Sequence, residues 1–463
     1  MSSSPSPFIS RLVLVRRDEI TATLWSFAYF FCLLCSYYML RPVRDEMGIQ
    51  GGVEHLPWLF TATFLAMLAT VPLFGWVSSR FPRRKLLPIV YLFFAANLLV
   101  FYVLMKSGVA PARMARAFFV WVSVFNLFVV SVFWSFMVDL FRNDQAKRLY
   151  GFISAGGSIG ALAGPLLTAH LAPSIGPENL LPVSAAVLCL SVICIWRLAK
   201  WSKHNPAERR SPPEKVDEPL GGNIFAGITL ALQSPYLIGI CIYVMLGTLL
   251  GTFLYFHQAN IVAVDIPSPG ERTALFAKID LAVNALTLFC QLFVVGRLVG
   301  LFGVGATLMI LPVLGAAGFL AIGVFPTLGV LIVFQVIRRA AEYAIARPAR
   351  EVLFTVLNRE EKYKSKNFVD TVVFRGGDAA SGWLFEGLRM LGLGFSGIAF
   401  VGVPIALLWA GTGWMLGRSQ EDMRARNAAI RRPDDQLFQS SATPAPASDG
   451  GSRRAGDAAP VER

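Results

Sequence analysis

The chain has 463 residues, of which 55% are hydrophobic and 15% charged, with a mean hydropathy of +0.57. A soluble domain carries about 25% charge, so this composition excludes one and describes a polytopic helical membrane protein. The net charge of +13 lies mostly in loops and tails, where it reads as membrane topology rather than as a nucleic-acid surface.

Apolar runs predict about twelve spans: 20–43, 56–78, 86–106, 112–138, 149–171, 179–199, 233–256, 272–296, 303–324, 327–347, 367–390 and 395–417. They divide the chain into a cytoplasmic N-terminal segment (1–19), a first six-helix bundle (20–199), a polar cytoplasmic linker (200–232), a second bundle (233–417) and a disordered cytoplasmic tail (418–463). Basic residues follow the even spans: Arg80, Arg83, Arg84 and Lys85; Arg142, Lys147 and Arg148; Arg347, Arg350, Arg359, Lys362, Lys364 and Lys366. Loops after spans five and nine hold no Lys or Arg, which predicts that both termini face the cytoplasm of a bacterial inner membrane. Lys106, Arg113 and Arg116, after span three, run against this rule.

The first span ends in Tyr37-Tyr38-Met39-Leu40-Arg41-Pro42-Val43-Arg44-Asp45. Tyr37, Arg41 and Arg44 share a face if the helix continues through Pro42. Two guanidiniums on one face suit a phosphate or carboxylate; the alternatives are snorkelling to headgroups or an Arg44–Asp45 pair. Span four ends at Asp139, a rim carboxylate that could gate or simply be solvated. In span five, Ser154, Gly156, Gly157, Ser158, Gly160 and Gly164 form a small-residue face suited to close helix packing.

Span seven carries Thr248, Thr252, Tyr255, His257 and Gln258. In span eight Asp280, Asn284, Thr287 and Gln291 fall at i, i+4, i+7 and i+11, a polar stripe expected to face a cavity. Span ten ends with Arg338, Arg339 and Glu342, the last a coupling candidate. Span eleven carries Asp370, Arg375, Asp378 and Glu386; Arg375 and Asp378 are one turn apart and can neutralise each other. Charges at membrane depth cost roughly 2.5–3.5 kcal/mol each on insertion scales, so each needs a partner, water or a function.

The six cysteines all fall in apolar runs and predict no disulfide. The four scattered histidines predict no metal site, and the absence of a GxxxxGK[ST] loop argues against an ATP-driven pump. No nucleophile–base constellation appears, so no enzyme and no cofactor is expected.

An internal repeat at an offset of about 220 residues pairs Gly156-Gly157-Ser158 with Gly376-Gly377-Asp378, and Gly75 and Phe81 with Gly296 and Phe302. Six plus six helices so related resemble the major facilitator superfamily, whose substrates bind between the halves. The loop GWVSSRFPRRK is similar to that superfamily's G-x-x-x-D-R-x-G-R-R signature, with Ser79 for the Asp and Pro82 for the second Gly. Closer still, Ala341-Glu342-Tyr343-Ala344, Pro348, Arg350-Glu351, Leu357, Glu360, Lys366, Asp370 and Arg375 resemble the ATP/ADP translocases of plastids and intracellular bacteria, as do Leu40-Arg41-Pro42-Val43-Arg44-Asp45, Phe133-Trp134-Ser135-Phe136 and Gln145-Ala146-Lys147-Arg148.

That resemblance implies exchange of a nucleotide or another phosphorylated anion across the bilayer, with Arg44 at a pore-lysine position and Arg375 at a family arginine. Asp378 and Glu342 stand where the family keeps lysines, and no acid lies near Val122 to Asn126, which marks a divergent relative. The expectation is an all-α secondary transporter, monomeric, moving a small anionic solute by alternating access. Its expected substrate residues are Arg41, Arg44, Asp280, Asn284, Gln291, Arg375 and Asp378, with Glu342, Asp139 and Asp370 coupling or gating. The alternatives are a proton-coupled carrier of a non-nucleotide solute and a non-transporting scaffold or sensor.

Overall fold

The computed structural model describes residue 16, residues 19–80, 83–204, 229 and 232–441. Most of the expected N-terminal segment and linker, Phe81 and Pro82 of the loop motif, and residues 442–463 lie outside the described residues. Among the described residues there is no strand.

The helices are α1 (Ile20–Gln50), α2 (Leu56–Arg80), α3 (Arg83–Lys106), α4 (Pro111–Leu140), α5 (Asn143–Ile175), α6 (Leu180–His204), α7 (Pro235–Asp265), α8 (Pro269–Phe293) and α9 (Val295–Val324). Next comes α10, built from Leu328–Ala341, a π turn Glu342–Ala346, and Arg347–Leu353. Then α11 runs through Arg359–Phe368, a π turn Val369–Val373, and Phe374–Met390, and α12 spans Phe395–Ser441. Among the described residues, ten helices are long and apolar enough to cross a membrane. The remaining pair, α10 and α11, carry most of the interior charges.

Local chemistry sets the ends. Ser234, Thr327 and Asn358 accept the N–H of Leu237, Val330 and Glu361 and so cap α7, α10 and α11. Pro111, Pro235 and Pro269 open α4, α7 and α8, where a missing N–H costs nothing.

Three expectations need correction. The first helix does not stop at residue 43 but continues through Pro42 to Gln50, a continuation that membrane helices tolerate within a bundle. The last helix passes Arg418, the expected start of a disordered tail, because Gln, Glu, Met, Arg and Ala there are good helix formers. Asn427 ties it down by donating to the Val356 carbonyl at 3.0 Å. The expected linker begins inside α6, which continues to His204.

Packing repeats across the chain: α1 lies on α5 as α7 lies on α11. Between halves, α5 packs on α8 and α2 on α11, as a two-fold relation would require. The α1–α5 seam explains the small-residue face. A Cβ added at Gly156, Gly160 or Gly164 would collide with the carbonyl oxygens of Phe27, Phe31 and Cys35 in turn, so the backbones touch as in small-xxx-small packing. Two buried apolar clusters result, one in α1–α6 with Ala274, the other mainly in α7–α12. Ile49, Leu56, Leu59 and Phe119 of the early helices join the second cluster, so the halves merge at that end.

Two of the three basic residues that broke the topology rule have partners there. Arg116 donates to the Gly51 carbonyl at 2.7 Å, and Lys106 pairs with Glu178 at 3.2 Å.

Candidate functional site

A cavity of about 680 Å³ lies between the halves. Seven arginines line it (Arg41, Arg44, Arg338, Arg339, Arg347, Arg350, Arg375) against four carboxylates (Asp45, Asp280, Glu342, Asp378), leaving three formal positive charges.

Helix periodicity supplies the lining. On α10, Gln335, Arg338, Arg339, Glu342, Tyr343, Arg347 and Arg350 all face the cavity. The π turn Glu342–Ala346 carries that face past Pro348, a use of π geometry common at functional sites. Arg347 and Arg350 were expected in a topology-setting loop; they belong to this helix, four and seven residues on from Tyr343 and so on its face.

Asp280 organises the deepest charges. Its side chain is 2% exposed and stands 2.7 Å from Arg339 and 3.6 Å from Arg41. One carboxylate thus serves two guanidiniums from opposite halves. Arg44 lies 3.7 Å from Asp45, which accepts the Tyr255 hydroxyl at 3.1 Å; the guanidinium also sits 4.2 Å from the Phe119 ring centre. Arg338 pairs with Glu342 at 3.3 Å and approaches Gly251, where the missing side chain leaves it room. Arg375 reaches Asp378 at 3.5 Å, and Thr252 donates to the other carboxylate oxygen at 3.2 Å. Arg347 lies over the Tyr343 ring at 4.5 Å and, among the described residues, has no carboxylate within 4.0 Å.

The guanidiniums are incompletely bonded. Arg44 Nε, Arg338 Nε, Arg339 Nη2 and Arg350 Nε are buried without a hydrogen bond. Arg339 Nη2 is nonetheless in ion-pair contact with Asp280 at 2.7 Å, so the unmet donors are those of Arg44, Arg338 and Arg350. Each such donor costs about 1–3 kcal/mol until it is satisfied.

The polar stripe of α8 faces the cavity: Asp280, Asn284, Thr287 and Gln291 all line it. Asn284 also donates across the halves to the Ala161 carbonyl at 2.8 Å. Thr248, Thr252, Tyr255 and Gln258 of α7 line it too, whereas His257 is buried beside Phe385 and Phe395. Ser154, Gly157 and Ser158 line it while their glycine neighbours pack on α1.

Two residues expected at the site are not in its lining. Asp139 is exposed near the end of α4, and Asp370 is exposed and paired with Arg350 at 3.1 Å. Sequence reasoning missed Gln335, Tyr343, Arg347 and Arg350 as lining, although their 3.6-residue spacing carries the signal. No group of three or more potential metal ligands occurs among the described residues.

The sequence profile of the Major Facilitator Superfamily matches residues 26–337. The chain is 23% identical over 445 residues to ADP,ATP carrier protein 1 of Chlamydia muridarum, covering 81% of this chain and 83% of that one. It is 21% identical to the chloroplastic ADP,ATP carrier protein 1 of Arabidopsis thaliana, covering 74% of this chain and 64% of that one. Among solved structures, a bacterial homologue of the human lysosomal transporter Spinster, inward-facing and unoccupied, superposes with a TM-score of 0.59. It shares 14% identity, and the match covers 88% of this chain and 99% of that one. The nucleoside transporter NupG superposes with a TM-score of 0.56 at 14% identity, over 88% and 99% of the two chains.

Proposed function

The chain belongs to the Major Facilitator Superfamily and is a multi-pass secondary transporter, and on that premise we propose that it exchanges an anionic solute of the nucleotide class by alternating access. The observation that carries this reading is the surplus of arginines over carboxylates in the cavity, with three guanidiniums holding unbonded N–H groups. A phosphate chain is the ligand that such forks bind bidentately. The relatives named ADP,ATP carriers support the same class.

In this reading Arg41, Arg44 and Arg375 hold the phosphates, and Asp280 and Asp378 keep the arginines in place and yield them to the cargo. Asn284 and Gln291 contact its polar groups, together with Gln258 and Gln335, whose amides bond each other at 2.9 Å. Glu342 is the coupling carboxylate, and Arg350–Asp370 is a mouth pair that cargo must pass; Asp139 acts at the rim. The protein works as a monomer in a bacterial inner membrane with both termini in the cytoplasm, as the Arg- and Lys-bearing loops support.

Uptake of labelled ATP into proteoliposomes tests this. The vesicles are loaded with ADP or left empty, with and without a pH gradient. Uptake that requires internal ADP is the expected result. No nucleotide uptake under any condition overturns the cargo. Uptake driven by the pH gradient into empty vesicles replaces exchange with proton coupling, for which Glu342 and Asp378 stand in the cavity wall.

A further inference from the structure

We propose that Glu46 and Arg272 are the lock that closes one end of the cavity, and that parting them is the step that exposes cargo to that side. The inference rests on the transporter reading but not on the identity of the cargo.

Glu46 lies near the end of α1 and Arg272 in the first turn of α8, 226 positions apart and in different halves. The pair is a full fork: Nε to one carboxylate oxygen at 2.7 Å and Nη2 to the other at 2.8 Å. Glu46 is 0% exposed and Arg272 9%. The remaining Nη1 donates to the Ile266 carbonyl, just past the end of α7, at 3.3 Å. Unlike Arg44, Arg338 and Arg350 of the cavity, this guanidinium has no buried N–H left without a hydrogen bond.

Other contacts between halves gather at the same end. Gly270 meets the Ala172 carbonyl of α5. Trp58 of α2 and Trp383 of α11 stack edge to face at 4.8 Å, and Trp383 donates to Thr61 at 3.0 Å. Gly382 lies against Pro57. These are apolar or neutral contacts, whereas Glu46–Arg272 is an ion pair. It also touches the cavity through the chain: Arg44 and Asp45, the two residues before Glu46, line the cavity, and Asp45 accepts from Tyr255 on α7. The last turns of α1 and the α7–α8 junction are therefore held together at both the cavity and the closed end.

The physics of a buried ion pair suits a lock that must open. When the halves part, both charges regain water, so the hydration gained nearly offsets the attraction lost. Removing one partner leaves the other dehydrated and unpaired in the closed state alone, which destabilises closure. Replacing both by apolar residues of similar size removes the dehydration cost and favours closure. The single and double changes therefore move the equilibrium in opposite directions, which a pair that merely staples the fold would not do.

The test is the distance between spin labels at Glu54→Cys and Val264→Cys, both exposed at the closed end and one in each half, in purified protein whose six native cysteines are replaced. Glu46→Gln is expected to raise the ratio of the long- to the short-distance population about tenfold. Glu46→Met with Arg272→Met should lower it, and the swap Glu46→Arg with Arg272→Glu should return it toward the parent. If Glu46→Gln does not fold, Arg272→Lys, which keeps the charge but loses the fork, should give a smaller shift of the same sign. An unchanged distribution in both single variants overturns the lock, as does a double apolar variant that shifts with the singles. No cargo enters this measurement, so a failed ATP uptake with a shifted distance distribution would reject the nucleotide and keep the lock.

Discussion

The two halves of this transporter divide the labour between scaffold and chemistry. In α1–α6 the central seam is a ladder of glycines against backbone carbonyls, and no π turn interrupts the described helices. In α7–α12 the helices α10 and α11 each carry a π turn and together hold most of the interior charges. Five of the seven cavity arginines and three of the four carboxylates come from this second half. The first half contributes Arg41, Arg44 and Asp45 from α1 alone, the helix that its glycine ladder holds in place. Precision in one half thus serves charge in the other.

The sharpest break of this contrast should come from its glycines. Gly156→Ala drives a Cβ into the Phe27 carbonyl, and overpacking a seam of touching backbones costs about 1–3 kcal/mol or more. Folded protein recovered by size-exclusion chromatography should fall sharply. Gly376→Ala in α11, at the equivalent place in the repeat, meets only the Phe64 ring at 3.6 Å and should be tolerated. Equal losses at both sites would erase the distinction.

The next effect should separate function from stability. Arg347 faces the cavity and stacks on Tyr343 without a carboxylate partner among the described residues. Arg347→Ala leaves no buried charge uncompensated, so the melting temperature should stay within a few degrees while anion uptake drops about tenfold, the worth of one charge-assisted bond to a phosphate. Asp280→Asn should do the reverse first. It strands Arg41 and Arg339 and should cost about 3–5 kcal/mol of stability, read by thermal unfolding in detergent.

Much of this division was legible in the sequence. The span-eight stripe from Asp280 to Gln291 was readable because a regular helix keeps i, i+4, i+7 and i+11 on one face, and α8 is regular. The glycines of α5 were readable as packing for the same reason. Arg347 and Arg350 were not read as lining, although their spacing from Tyr343 keeps the face, because Pro348 reads as a helix end, whereas the helix continues through it to Leu353. Nor was the sharing of Asp280 by Arg41 and Arg339, or the fork of Arg272 on Glu46. Those pairings join helices well separated in the chain, and no local period encodes them.

The smallest expected effect returns to the scaffold half. Glu19 precedes α1, just ahead of the first membrane span, with its side chain 1% exposed. Burial alone would raise its carboxyl, but Arg148 at 2.9 Å, the Arg16 backbone N–H and the Gln145 amide hold the charged form and bring it below its ordinary 4.5. A lowered carboxyl stabilises the fold above the ordinary value, and that contribution is lost as pH falls through the folded one. Thermal stability of the parent protein should therefore sag below about pH 4.5. Glu19→Gln should lose about 1 kcal/mol near neutrality, as for a partly screened pair, and the gap between the two should narrow in acid. A gap that widens in acid would mean that Glu19 is held protonated instead, and the anchoring of α1 by Arg148 would have to be abandoned.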